Sequence, residues 1–150
     1  MSNTNTVRIH RVLKAKPERV YRAFTDSDAK AKWLPPFGFT AKMHHDDVKV
    51  GGTYKMSFTN FTTGKVHSFG GEYLELIPNQ RIRNTDRFDE DSHMPGEMIT
   101  TVDLRPVSCG VEVHIVQEGI PEAIPVEGCY LGWQDSLTLL AQLVEPEIPD

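Results

Sequence analysis

Few side chains in this 150-residue chain have the type and spacing that chemistry requires. The densest set is His44-His45-Asp46-Asp47. Histidine and aspartate are metal ligands, but neighbours on a strand point to opposite faces, so His44 and His45 reach one ion only across a turn. The set matches no familiar zinc spacing, and a solvated loop is expected. His10, His67, His93 and His114 are scattered and read as exposed strand or loop residues. Cys109 sits beside Gly110 at a turn, and Cys129 lies far from it. Neither has an evident base nearby in sequence to activate a thiolate, so two reduced, buried thiols are expected. Gly51-Gly52 and Gly70-Gly71 stand among strands rather than before a helix, so no phosphate-cradling loop is present.

The more informative polar residues sit within apolar alternation. Ile82 and Phe88 share a strand face with Asn84 and Asp86. Asn60 and Gln117 fall on inward faces by the same pattern. An inward polar group must find a partner or a water, and a buried Asp86 carboxyl would tend toward its neutral form. Acid–base catalysis on a bound carbonyl compound would need such a group, with Asp86, Glu75 and Tyr54 as candidates. A register slip of one residue would turn Asp86 outward. The inward face of residues 66–77 stays open at this point.

Elements to position these residues are legible in the periodicity. Val7, Ile9 and Leu13 alternate on a first strand. Pro17 suits the first position of a helix with Val20 and Phe24 on its apolar stripe. Asp26 or Ser27 could cap a second short helix through Trp33 and Leu34, which Pro35 and Pro36 stop. Strand patterns follow at 39–44, 53–60, 66–77, 80–88, 97–105 and 111–118, with Thr63-Gly64 as a hairpin turn and Gly70-Gly71 as a bulge or bend. The segment 89–96 reads as an acidic, exposed loop. Val126, Tyr130, Trp133, Leu137, Leu140 and Val144 recur in steps of four and three, one face of a helix about 20 residues long. Gly128 and Gly132 within it each cost roughly 1 kcal/mol against Ala, which suggests close approach of the backbone to the sheet or a ligand. Sequential hairpins predict an antiparallel sheet, and one long amphipathic helix is available to cover its apolar face.

Composition narrows the class. The net charge of −5 disfavours a phosphate backbone as partner, so no nucleic acid is expected. Hydrophobic residues make up 39% and charged ones 25%, as in a globular chain rather than a disordered one. No apolar run approaches the ~20 residues of a membrane span, and the polar N-terminus has no export signal. A single cytoplasmic domain over 1–150 is the expectation.

Several segments carry a resemblance in combination. They are PERVYRAFTD with AKWLPP between Pro17 and Pro36, DVKVGGTYKMSF from Asp47 to Phe58, GGEYLELIPNQRI from Gly70 to Ile82, and Gly132-Trp133 before SLTLLAQL. In this order they resemble the helix-grip fold of the START-like (SRPBCC) superfamily, and within it the family named after the activator of Hsp90 ATPase. The segment DRFDEDSHMPGE stands where that family has a variable loop. The resemblance implies an α+β fold, a curved antiparallel sheet of about six to seven strands wrapped around a long C-terminal helix, with two short helices after the first strand. It also implies a cavity between helix and sheet.

A small apolar molecule is the expected partner, with no redox cofactor and no metal. Its expected walls are Trp33, Phe37, Met56, Phe58, Phe88, Met98, Cys129 and Trp133. Tyr54, Asn84 and Asp86 would be polar handles, and Gly128 and Gly132 would make room. The alternatives are a cyclase- or hydratase-type enzyme using Asp86, Glu75 or Tyr54, and a protein-interaction or chaperone-accessory module. The first strand and the loop 89–96 could support a homodimer. Stimulation of a chaperone ATPase is not expected, because the eukaryotic namesake's domain is joined to a separate N-terminal one with no counterpart before Val7.

Overall fold

Pro17 opens the first helix as anticipated, because its missing N–H is not needed there and its φ is already helical. The computed structural model describes residues 5–89 and 96–150. In chain order the elements are β1 (Thr6–Leu13), α1 (Pro17–Thr25), α2 (Ser27–Trp33), β2 (Phe39–Asp46), β3 (Thr53–Asn60), β4 (Val66–Ile77), β5 (Arg81–Phe88), β6 (Met98–Val107), β7 (Gly110–Glu118) and α3 (Val126–Val144). Asp26 ends α1 and caps α2, its side chain accepting from the Ala29 N–H at 3.0 Å. The expected loop 89–96 and His93 lie largely or wholly outside the described residues.

The seven strands form one antiparallel sheet in the order β1-β7-β6-β5-β4-β3-β2. Consecutive strands from β2 to β7 are hairpin neighbours. β1 crosses to the far edge and pairs with β7, Thr6 opposite Glu118. The connection from β1 to β2 therefore spans the width of the sheet, and α1 and α2 lie within it.

Two irregularities change which side chains point inward. β2 shifts register between Met43 and His45, and β4 between Tyr73 and Glu75. Phe69 and Tyr73 face the interior before the second shift, and Leu76 does so after it, which leaves Glu75 outside. The glycine pair was expected to hold a bulge or a bend. Gly70 instead stays paired with Arg87, and the bulge falls at Leu74. The glycines serve close approach. A Cβ on Gly71 would sit 1.8 Å from the Thr85 carbonyl oxygen, and one on Gly70 2.5 Å from that of Tyr54. Beside Gly71 the Glu72 N–H donates to Thr85 Oγ1 at 2.9 Å instead of to a backbone carbonyl.

α3 has two halves with different neighbours. Leu137, Leu140, Ala141 and Val144 pack on Val102, Leu104, Val111, Val113 and Ile115 in the main core. The earlier turns, through Cys129, Gly132 and Trp133, border a cavity instead. Among the described residues no helix is long and apolar enough to cross a membrane.

Candidate functional site

The cavity holds about 340 Å³ between the first half of α3, the helix α2 and the inner face of the sheet. That lies at the lower end of the roughly 300–1,000 Å³ of small-molecule pockets. Aromatic residues dominate its walls. Phe58 and Phe69 meet edge to face at 4.9 Å between ring centres, and Trp33, Phe88 and Trp133 complete the apolar surface. Exposed His67 also lines it, so the cavity reaches the surface there.

Polar side chains are gathered in two linked groups. The first centres on Asp86 of β5. Its Oδ1 accepts from the Tyr54 hydroxyl and from Asn84 Nδ2 at 3.3 Å, and its Oδ2 accepts from Thr100 Oγ1 at 2.7 Å. Gln117 Nε2 reaches Thr100 Oγ1 at 3.5 Å, and Trp133 Nε1 donates to Gln117 Oε1 at 3.0 Å. Alternation on β5, β6 and β7 delivers these residues to one face. Burial pushes the Asp86 carboxyl above the usual carboxylate range, against the opposing pull of its hydrogen bonds and of Lys30. The Tyr54 phenol is pushed well up by burial and then by the Asp86 charge.

The second group centres on Lys30 of α2, which is only 7% exposed. Its Nζ donates to the Tyr73 hydroxyl at 2.9 Å. Tyr73 in turn donates to Asp46 Oδ1 at 2.5 Å, and Ser27 Oγ donates to Asp46 Oδ2 at 3.0 Å. Lys30 Nζ stands 4.0 Å from Asp46 Oδ2 and 4.8 Å from the centre of the Tyr54 ring. Burial lowers the Lys30 pKa, and the charges of Asp46 and Asp86 oppose that shift. Burial and the Asp46 hydrogen bond push the Tyr73 phenol up.

Most of the residues expected at a site converge on the cavity. Trp33, Tyr54, Phe58, Asn84, Asp86, Phe88, Met98, Cys129 and Trp133 all line it, as do Gln117 and Gly132. Others do not. Phe37 is 55% exposed, because the chain turns at Gly38 with φ +88 before β2 begins. Met56 is fully buried, but it packs in a cluster with Tyr54 and Tyr73 and does not reach the cavity. Glu75 pairs with Arg81 Nη1 at 3.4 Å on the outer side. Asn60 caps a turn, its Oδ1 accepting from the Thr62 and Thr63 N–H groups. Gly128 does not border the cavity, whereas Gly132 does; a Cβ on either would meet no protein atom within 4 Å, so neither marks a close approach to the sheet.

The cysteines and the histidine–aspartate run also differ from expectation. Cys109 is exposed and Cys129 half-buried, so neither is a fully buried thiol. His44, His45 and Asp46 belong to β2 rather than to a loop. His44 contacts Ser57 Oγ and His45 contacts Thr53 Oγ1 across the strand pair, while the Asp46 side chain is 2% exposed. Among the described residues no group of three or more His, Cys, Asp or Glu is placed to hold a metal ion.

Sequence reasoning missed Lys30 and Tyr73, and it read Asp46 as part of a solvated loop. A signal for Lys30 existed. It precedes Trp33 by three residues on a helix, so the two share a face.

Comparison with known proteins agrees with this architecture. The family described as "Activator of Hsp90 ATPase homolog 1-like protein" matches residues 14–145. The crystal structure of a Chromobacterium violaceum protein superposes with a TM-score of 0.94 at 63% identity, covering 96% of this chain and 99% of that one. A Rhodobacter sphaeroides protein gives 0.80 at 20% identity, with 95% and 92% covered. A Rhizobium leguminosarum protein gives 0.77 at 23%, with 95% of each covered. The last two show likeness of fold alone. No curated protein matches the chain.

Proposed function

This chain belongs to the Activator of Hsp90 ATPase homolog 1-like family, and from that premise we propose that it binds a small, largely apolar molecule in the cavity beside α3. One observation carries the reading. A cavity of about 340 Å³ has aromatic walls, yet a buried carboxylate and its donors border it. Apolar surface with a few convergent polar groups is the usual form of a small-molecule site. The apolar walls supply affinity through burial, and Asn84, Asp86 and Gln117 orient the ligand. In this reading the protein works in the cytoplasm as a single domain, without metal or redox cofactor.

The contact between Asp86 and Tyr54 favours one second reading, a cyclase- or hydratase-type enzyme acting on a carbonyl substrate. Glu75 has no part in it, since it faces outward. We favour binding, because both Asp86 oxygens are already engaged by the protein's own donors, Tyr54, Asn84 and Thr100.

Native mass spectrometry of protein purified from its own host, set against the denatured mass, should show a retained small molecule. A panel of apolar ligands should also raise the melting temperature. Saturation at a hundred times Kd stabilises by about 2.7 kcal/mol, a rise of roughly 5–10 °C for a domain of this size. An apo mass together with an unmoved melting temperature across the panel would reject the reading.

A further inference from the structure

We propose that Lys30 is a reactive amine, and that the cavity takes an apolar aldehyde or ketone which Lys30 holds as an imine. The inference rests on the cavity being a ligand site and names the chemical class of that ligand.

Lysine side chains ordinarily lay their stems on a surface and keep the amine in water. On α2, Lys32 does so and is exposed, whereas Lys30 turns inward beside Trp33 and borders the cavity. An ammonium has three N–H donors to satisfy. Among the described residues Lys30 Nζ has one acceptor at hydrogen-bond distance, the Tyr73 hydroxyl at 2.9 Å. Asp46 Oδ2 lies at 4.0 Å, and the ring centres of Tyr54 and Tyr73 lie 4.8 and 5.3 Å from Nζ. The ring faces and Asp46 favour the charged form, whereas burial disfavours it and is the larger influence on its pKa, which is lowered. The titratable groups facing it are Asp46 on β2, Tyr54 on β3, Tyr73 on β4 and Asp86 on β5. The two carboxylates oppose burial, so the outcome is a balance that experiment can read.

The neighbours also provide a proton path. Tyr73 is hydrogen-bonded to both Lys30 Nζ and Asp46 Oδ1, so a proton can pass between amine and carboxylate through one phenol. In the reaction the amine lone pair forms a bond to the carbonyl carbon. The carbonyl π pair moves to oxygen, which gains a proton while nitrogen loses one. The resulting carbinolamine expels its hydroxyl as water when the C=N bond forms. Amine and carbonyl compound thus give imine and water, with no oxidant or reductant. A desolvated lysine in an apolar pocket is one recognised form of activated nucleophile.

Naphthaldehyde with sodium cyanoborohydride at neutral pH tests the proposal, because hydride from the reagent reduces an imine to a stable secondary amine. Peptide mapping by mass spectrometry then locates the label. Lys30 should be labelled at least about tenfold faster than exposed Lys32 and Lys49, because the cavity holds the aldehyde beside its amine. Naphthylmethanol, of similar shape without the carbonyl, should slow labelling of Lys30 alone. Lys30→Met should remove that label and leave the others. The comparison among lysines of one molecule does not depend on whether the variant folds. If naphthylmethanol perturbs Trp133 fluorescence while Lys30 reacts no faster than Lys32, the imine is overturned and the binding site stands. If neither compound perturbs the fluorescence and Lys30 shows no preference, both readings fall.

Discussion

Asp86 accepts from Tyr54, Asn84 and Thr100 and still has its pKa raised, because burial outweighs all three hydrogen bonds. The sign fixes a pH dependence. A carboxyl whose folded pKa exceeds the unfolded one keeps a proton that the unfolded chain releases. Its contribution to stability is complete below the ordinary value of about 3.9 and is lost as pH rises through the raised value. Asp86→Asn has no such proton. Its stability relative to the unaltered protein should therefore shift in its favour as pH rises above about 4, measured by urea unfolding at a series of pH values. A difference that stays constant over this range would mean that Asp86 ionises normally. At this scale alternation on β3 and β5 made Tyr54, Asn84 and Asp86 legible, although a slip of one residue would have turned Asp86 outward. It hid Asp46, because β2 runs on past a bulge into residues whose polarity resembles a loop. It hid Lys30 because α2 has seven residues, too few for a helical stripe to stand out.

Glycine shows how far an element can be read from its sequence. The two glycines of α3 were expected to approach the sheet or a ligand, and neither approaches the sheet. Those of β4 were expected to form a bulge or a bend, and they instead let backbone pass against backbone. A missing Cβ looks the same in sequence whether its place is empty or occupied. Opposite outcomes follow. Gly128→Ala and Gly132→Ala should each stabilise by about 0.8–1 kcal/mol through helix propensity, a rise of roughly 2–4 °C in Tm. Gly132→Ala should also weaken binding of the bulkiest ligands, since the methyl group enters the cavity. Gly71→Ala would place its Cβ 1.8 Å from the Thr85 carbonyl oxygen, and should cost about 3 kcal/mol or more in denaturant unfolding. A thermal shift of the same sign at all three positions would contradict this account.

For the molecule as a whole, the order of elements was fully visible in the sequence, because each strand alternates and the long helix repeats in threes and fours. Hairpin spacing alone did not give the placement of β1 beside β7, which rests on contacts between residues about a hundred positions apart. Partner residues from α3 and from just beyond it reinforce that edge. The Tyr130 hydroxyl accepts from the Arg8 N–H at 3.1 Å, Glu145 Oε2 accepts from the Lys14 N–H at 3.0 Å, and Arg11 Nη1 donates to Thr138 Oγ1 at 3.1 Å. Edge N–H groups satisfied in this way are not free to recruit a strand from another chain. The two Lys30 neighbours on β2 and β4 meet it only because the β1–β2 connection carries α2 across the sheet.

That pairing also sets a timetable. Strands β2 to β7 meet their neighbours through short hairpins, whereas β1 must wait for β7, and the closure of a long loop is slow. At about 5–20 residues per second, the wait during synthesis is on the order of ten seconds. In refolding, pulse-labelled hydrogen exchange should find the amides of β3 and β4 protected before those of β1. Simultaneous protection would point to a single concerted step. In the expected order, the strand that is made early is placed late, and the grip closes only when the far end of the chain has arrived.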